Sequence, residues 1–370
     1  MAESFEIRPF EECIEKIKYT TKIASQDFKE SGRFPIISQE EAFISGYWDN
    51  PEDVFHINKP VVIFGDHSRH IKYVDFDFVI GADGVKILSP VKSINAKYFY
   101  YFLKWLDIPS LGYSRHYKAL KEKSVKVFSE TCQQRIVDEL DLLTGIIDKK
   151  NAQLRDLDAL AQSIYYEMFG DSSRPSLKWE KRLLEDMVTA SCSISYGIVQ
   201  PGDGEQEGVP VVRPVDMIRI FTTNRNLKKT TKEISDAYKR TILRGNELLL
   251  CVRGTTGIVS MADENLAGCN VSRGITPLEF SNEISRWFMY YQFKTDSVQH
   301  TISRLTHGIA LKGINMSDVR KLEMVCPPFD EQLKFEKAVK SIHEERLKIE
   351  ASLRNSLELY NSRMAYYFSY

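Results

Sequence analysis

The chain has 370 residues, with Lys+Arg 50 against Asp+Glu 51, 43% apolar and 27% charged. Those proportions suit a globular protein with room for two domains. A net charge of −1 excludes a chain coated in bases, so nucleic-acid binding would have to come from local patches.

Up to about Glu130, short apolar runs (Val61–Phe64, Phe76–Ile80, Val125–Phe128) alternate with Gly, Asp and Ser. They predict a loop-rich mixed α/β domain over residues 1–130. From Thr131 the texture turns helical. Ile136, Leu140, Leu143, Ile147, Leu154 and Leu157 recur at spacings of 4 and 3, with Lys150 as the gap, and no proline falls between Cys132 and Phe169. Such a heptad stripe predicts a coiled-coil helix over 131–170, about 58 Å long at 1.5 Å per residue. Thr131 and Gln134 are spaced as a capping box, Gly170 suits the C′ position, and Pro175 blocks continuation. A second mixed domain is expected over 171–328. Cys326-Pro327-Pro328-Phe329-Asp330 then opens a second helix over 329–370, with Asp330 as N-cap and a stripe of Phe335, Val339, Ile342, Ile349 and Leu353.

The second half repeats the first. Phe5–Glu12 aligns with Trp179–Asp186, Tyr100–Lys104 with Tyr290–Lys294, and Ala119–Lys121 with Ala310–Lys312; Leu154, Leu160 and Phe169 align with Leu353, Leu359 and Phe368. The stripes are interrupted at different places, Lys150 in one and Arg346 in the other, which suits helices that pair with each other. Nine residues from Gly170 to Lys178 reach at most about 30 Å, so the helices are expected to run antiparallel, with a globular domain at each end related by a pseudo-twofold axis. Phe5 should then lie near Tyr370.

Six cysteines stand apart without a Cys-x-x-Cys pair, predicting free thiols rather than a zinc module or disulfides. No apolar run approaches the roughly 20 residues of a membrane span. Met1–Phe10 lacks a signal peptide's apolar segment, so the expected location is cytoplasmic. Cys326-Pro327-Pro328-Phe329 resembles an amino-methyltransferase motif, but a thiol accepts hydrogen bonds poorly and no cofactor loop accompanies it. Arg253-Gly254-Thr255-Thr256-Gly257 follows an apolar strand and lacks the phosphate-loop Lys. Gly65–His70 holds the same place in the first copy; its Asp66, His67 and His70 lack a visible fourth metal ligand. Both read as polar turns able to present side chains to base edges. Between Arg213 and Arg244 nine bases face three acids, a local balance of +6. The positions offered to DNA are Asp66, His67, Arg69, Lys72, Tyr113, Arg115, His116, Lys118, Tyr196, Arg213, Arg253, Thr255, Thr256, Arg273, Arg304 and His307. No catalytic set or metal site emerges.

Tyr196–Gly202 with Gly208–Arg213, Leu248–Gly257, and Pro327-Pro328 with Glu331-Gln332 resemble the specificity subunit of type I restriction–modification systems. The first copy departs by lacking the Pro-Pro pair. The resemblance implies a non-catalytic subunit in which each domain reads half of a bipartite site on double-stranded DNA and the helices set the spacer. It also implies two docked methyltransferase subunits, which supply S-adenosylmethionine; restriction subunits are possible partners, and the chain itself needs no cofactor. The competing readings are a coiled-coil protein adaptor and a self-contained methyltransferase or nuclease.

Overall fold

A computed structural model describes residues 4–109, 112, 115–170, 179–202, 207–308 and 312–369. The chain divides into two units, one comprising residues 1–152 with 350–370 and the other residues 153–349. The division falls within both long helices.

In the first unit β1 (Phe5–Pro9) pairs antiparallel with β11 (Ser124–Phe128). A sheet follows the order β2 (Ile14–Glu15), β10 (Val85–Pro90), β7 (Val61–Gly65), β8 (Ile71–Val74). Another runs β3 (Lys22–Ile23), β9 (Phe78–Gly81), β4 (Phe34–Ile37), β5 (Gly46–Trp48), with β6 (Val54–Phe55) also on β9. Two short helices, α1 (Ala96–Trp105) and α2 (Tyr117–Lys121), precede the long α3 (Glu130–Phe169).

The second unit repeats this frame. β12 (Lys181–Leu183) leads into α4 (Leu184–Met187) and pairs with β21 (Glu323–Val325). β15 (Leu248–Cys251) lies between β16 (Val259–Met261) and β18 (Ile275–Leu278), as β7 lies between β8 and β10. β13 (Val209–Val212) carries β14 (Lys228–Thr230) antiparallel and β17 (Asn270–Val271) parallel, and α5 (Lys232–Ala237) follows β14. After α6 (Arg286–Phe293) and α7 (Asp296–Leu305), the hairpin of β19 (Thr306–His307) and β20 (Gly313–Ile314) leads to α8 (Met316–Arg320) and the long α9 (Phe329–Phe368).

The duplication extends to single hydrogen bonds. Arg8 and Arg182 each grip a glutamate two residues earlier through Nε and Nη2. Phe10 N donates to Lys123 O as Leu184 N donates to Leu322 O. One aligned triplet is corrected. By the short helix before the closing strand, α2 corresponds to α8, so Ala119–Lys121 matches residues 318–320; Ala310 and Leu311 lie outside the described residues.

Each globular core receives the start of one long helix and the end of the other. In the first unit Ile136 and Leu140 of α3 and Phe368 of α9 join Tyr98 and Phe102 of α1. In the second, Phe335 and Val339 of α9 and Phe169 of α3 join Phe288 of α6. The pairing is antiparallel within each unit: Glu139 meets Arg363 and Lys150 meets Ser352 in the first, while Asp158 meets Arg346 and Tyr165 meets Phe335 in the second. The stripe follows the expected positions. Ile136, Leu140, Leu143, Phe335 and Val339 are buried, whereas Ile147, Leu154, Leu157, Ile342, Ile349 and Leu353 are half-buried.

The helix starts differ from expectation. α3 begins one residue before Thr131, and Ser129 Oγ, not Thr131, accepts from the Cys132 amide, at 3.4 Å. α9 begins at Phe329, so Asp330 lies in its first turn, and Pro328 O takes the amides of Glu331 and Gln332. Gly170 does close α3, at φ +72°; Pro175 lies outside the described residues. Lys126 Nζ contacts Ser369 O and sits 4.8 Å over the Phe5 ring, so both ends of the described chain meet in the first unit; Tyr370 itself is not described. Among the described residues no helix is long and apolar enough to cross a membrane.

Candidate nucleic-acid interface

In the second unit the turn between β15 and β16 is pinned from three sides. Val252 N donates to Gly274 O at 2.7 Å, Gly254 N to Lys312 O at 2.9 Å, and Gln299 Nε2 to Gly257 O at 2.9 Å. Gly254 (φ +81°) and Gly257 (φ +91°) occupy the left-handed region that side chains disfavour. Thr256 Oγ1 lies 3.0 Å from Thr306 Oγ1, and His307 pairs with Gly313 across the β19–β20 hairpin. Tyr196 OH donates to Ile314 O at 3.2 Å, and the Arg253 guanidinium lies 5.3 Å from the centre of the Tyr196 ring. Arg273 N donates to Ile198 O at 2.7 Å, two residues beyond Tyr196. Candidates scattered from Tyr196 to His307 in sequence thus converge on one corner. Arg304 stands exposed on the last turn of α7 beside it.

Arg213 is engaged elsewhere. Its Nε and Nη2 donate to Asp216 at 3.0 and 2.9 Å, and this hydrogen bonding raises its pKa above the usual arginine value. Lys232 and Arg244 of the same basic stretch pair with Asp236 and Glu279. By contrast, Arg253, Arg273, Arg304 and Lys312 make no ion pair among the described residues. The corner thus carries positive charge that no ion pair neutralises among the described residues, as do Arg219, Arg225, Lys228, Lys239 and Arg240 elsewhere in the unit.

The equivalent corner of the first unit is the turn between β7 and β8. Here three of the expected DNA contacts are interior. Asp66 is 2% exposed; its carboxylate accepts from Tyr117 N at 2.8 Å and lies 3.6 Å from Lys86 Nζ. His116 is 1% exposed and lies with Nδ1 2.9 Å from Asp66 O. Lys72 is 5% exposed and donates to Ser38 O at 2.9 Å and Ala42 O at 2.5 Å; burial lowers its pKa. These groups hold loops together and are placed inside rather than offered to a ligand. His67 is half-buried, with its amide on Gln39 Oε1. Arg69, Arg115 and Lys118 are exposed, although Arg69 Nη1 donates to Ile108 O at 2.8 Å. Tyr113 lies outside the described residues.

Sequence reasoning missed Lys312, Gln299, Lys86 and Gln39. Lys312 enters through its backbone oxygen, Gln299 and Gln39 through side-chain amides, and Lys86 through its charge near Asp66, all across the chain, where local pattern carries no signal. Among the described residues no group of three or more His, Cys, Asp or Glu could hold a metal ion.

Residues 177–359 match the model of the type I restriction modification DNA specificity domain. Over 349 residues the chain is 21% identical to the type I restriction enzyme EcoBI specificity subunit of Escherichia coli, covering 86% of this chain and 72% of that protein. It is 30% identical over 262 residues to the EcoR124I/EcoR124II specificity subunit of the same organism, covering 65% of this chain and 63% of that one. Its fold is similar to the crystal structure of a type I restriction–modification S subunit from M. genitalium, with TM-score 0.58, 13% identity, and 98% and 95% of the two chains covered. A structure described for type I R-M complex assembly and conformational transition gives TM-score 0.52 at 12% identity, covering 98% and 97%.

Proposed function

We propose that this chain is a specificity subunit of a type I restriction–modification system, and that it reads DNA as follows. It is the non-catalytic, sequence-recognising component of its complex. The corner at the β7–β8 turn takes one half of a bipartite duplex site, and the corner at the β15–β16 turn takes the other. The observation carrying this reading is a repeated frame with dissimilar corners. The bonds that fasten each domain to its helices recur, whereas His67, Arg69 and His70 in one turn give way to Arg253, Thr255 and Thr256 in the other. Identical frames with different reading groups suit an asymmetric target.

α3 and α9 serve as the spacer element and as the docking site for methyltransferase subunits, with restriction subunits joining the same complex. Two methyltransferase copies fit the repeat, because Leu160 and Leu359 hold equivalent positions and are 48% and 50% exposed. Mapping methylated bases in cells carrying the chain with its methyltransferase subunits tests the reading. A bipartite, asymmetric motif that disappears when the chain is removed is expected; a continuous motif, or one that persists without the chain, contradicts it.

A further inference from the structure

We propose that Arg253 reads a guanine in the half-site taken by the second unit, aimed by Tyr196 as a positioning residue; this rests on the DNA-reading function above. The arm of Arg253 is held from two sides. Its guanidinium lies over the Tyr196 ring at 5.3 Å. On the other side, a Cβ added at Gly313 would come 3.2 Å from Arg253 Cγ, so the glycine leaves the space in which the arm lies. The backbone is fixed as well, since Arg253 forms a bridge with Gly313 and the flanking amides of Val252 and Gly254 are both bonded.

With its stem held, the guanidinium makes no hydrogen bond or ion pair of its own among the described residues. A planar fork in that state meets the O6/N7 edge of guanine through two parallel hydrogen bonds. Fixing it beforehand reduces the side-chain entropy lost on binding. The arginine at the matching turn of the first unit, Arg69, is not in that state. Arg69 already donates Nη1 to Ile108 O, and its backbone sits at φ +64°. At the second corner Arg273 and Arg304 are also without an ion pair, but among the described residues neither guanidinium lies over an aromatic ring as that of Arg253 does; Arg213 is closed on Asp216.

Methylation of every single-base variant of the target, in cells carrying the chain with its methyltransferase subunits, tests the assignment. Arg253→Lys keeps the charge but loses the fork, and Tyr196→Ala removes the platform. Each should cut the preference for guanine at one position of one half-site by roughly ten- to a hundredfold, leaving other positions as they were. Tyr196→Phe should retain the preference, and Arg69→Lys should leave that position unaffected. Equal loss at all positions would mean a phosphate contact and overturn the proposal, as would an Arg253→Lys profile identical to the parent. A parent chain without any bipartite methylated motif would bring down the DNA-reading function too; a bipartite motif lacking this guanine dependence brings down only the present inference.

Discussion

Gln133 and Gln332 are both 0% exposed. Gln332 Oε1 accepts from Ser285 N at 2.9 Å and Nε2 donates to Pro327 O at 2.8 Å; Gln133 does the same with Asn95 N and Phe128 O, both at 2.8 Å. Asn95 and Ser285 are the N-caps of α1 and α6, so one amide ties a helix start to the domain it leaves. Gln332→Leu should cost about 2–4 kcal/mol, because a buried donor and acceptor each lose a partner. Glu331→Gln, which touches only Lys334 at the surface, should cost less than about 1 kcal/mol. Denaturant titration measures both, and equal small losses would deny the glutamine its role. The residue type was legible in sequence, since Gln332 follows Pro-Pro in the resembling motif, but its burial was not. The same limit misplaced Asp66, Lys72 and His116. A charged residue near a turn has one appearance in sequence whether it meets solvent or holds a neighbouring loop.

At the scale of elements, periodicity revealed most. The stripe of α3 and α9 falls on the buried and half-buried face, and its two interruptions find polar partners on the facing helix. Lys150 donates to Ser352 Oγ and Ser356 Oγ, both at 2.7 Å, and Arg346 meets Asp158 at 2.6 Å. Polar groups at core positions of paired helices select partner and register at some expense of stability. Lys150→Ile should therefore raise the thermal midpoint while admitting chain-to-chain pairing, visible as dimers in size-exclusion chromatography. A monomeric variant with a lowered midpoint would refute that role. The caps were less legible. Ser129 and Thr131 offer equivalent hydroxyls two residues apart, and only the path of the preceding strand, β11 in its pairing with β1, decides between them.

For the whole molecule, the doubling of the sequence was the most informative feature, because it announced two similar frames before any strand was assigned. The family model nonetheless spans only 177–359; the first copy departs at its helix start, where Pro-Pro is missing. The two corners share little sequence with each other, so they were the least legible part. Lys126 touches both Phe5 and Ser369, so a chain with its ends joined by a short linker and opened within 171–178 should fold and direct methylation to the parental motif; an insoluble product would count against the internal symmetry. We propose that the helices shared by the two domains set the spacer between the half-sites. Adding one heptad at facing positions of both α3 and α9 adds about 10.5 Å at 1.5 Å per residue, close to three base pairs at about 3.4 Å each. Sequencing of methylated DNA from cells carrying that variant should return the same two half-sites with a spacer longer by about three base pairs; the parental spacer in a folded, active complex would contradict the account.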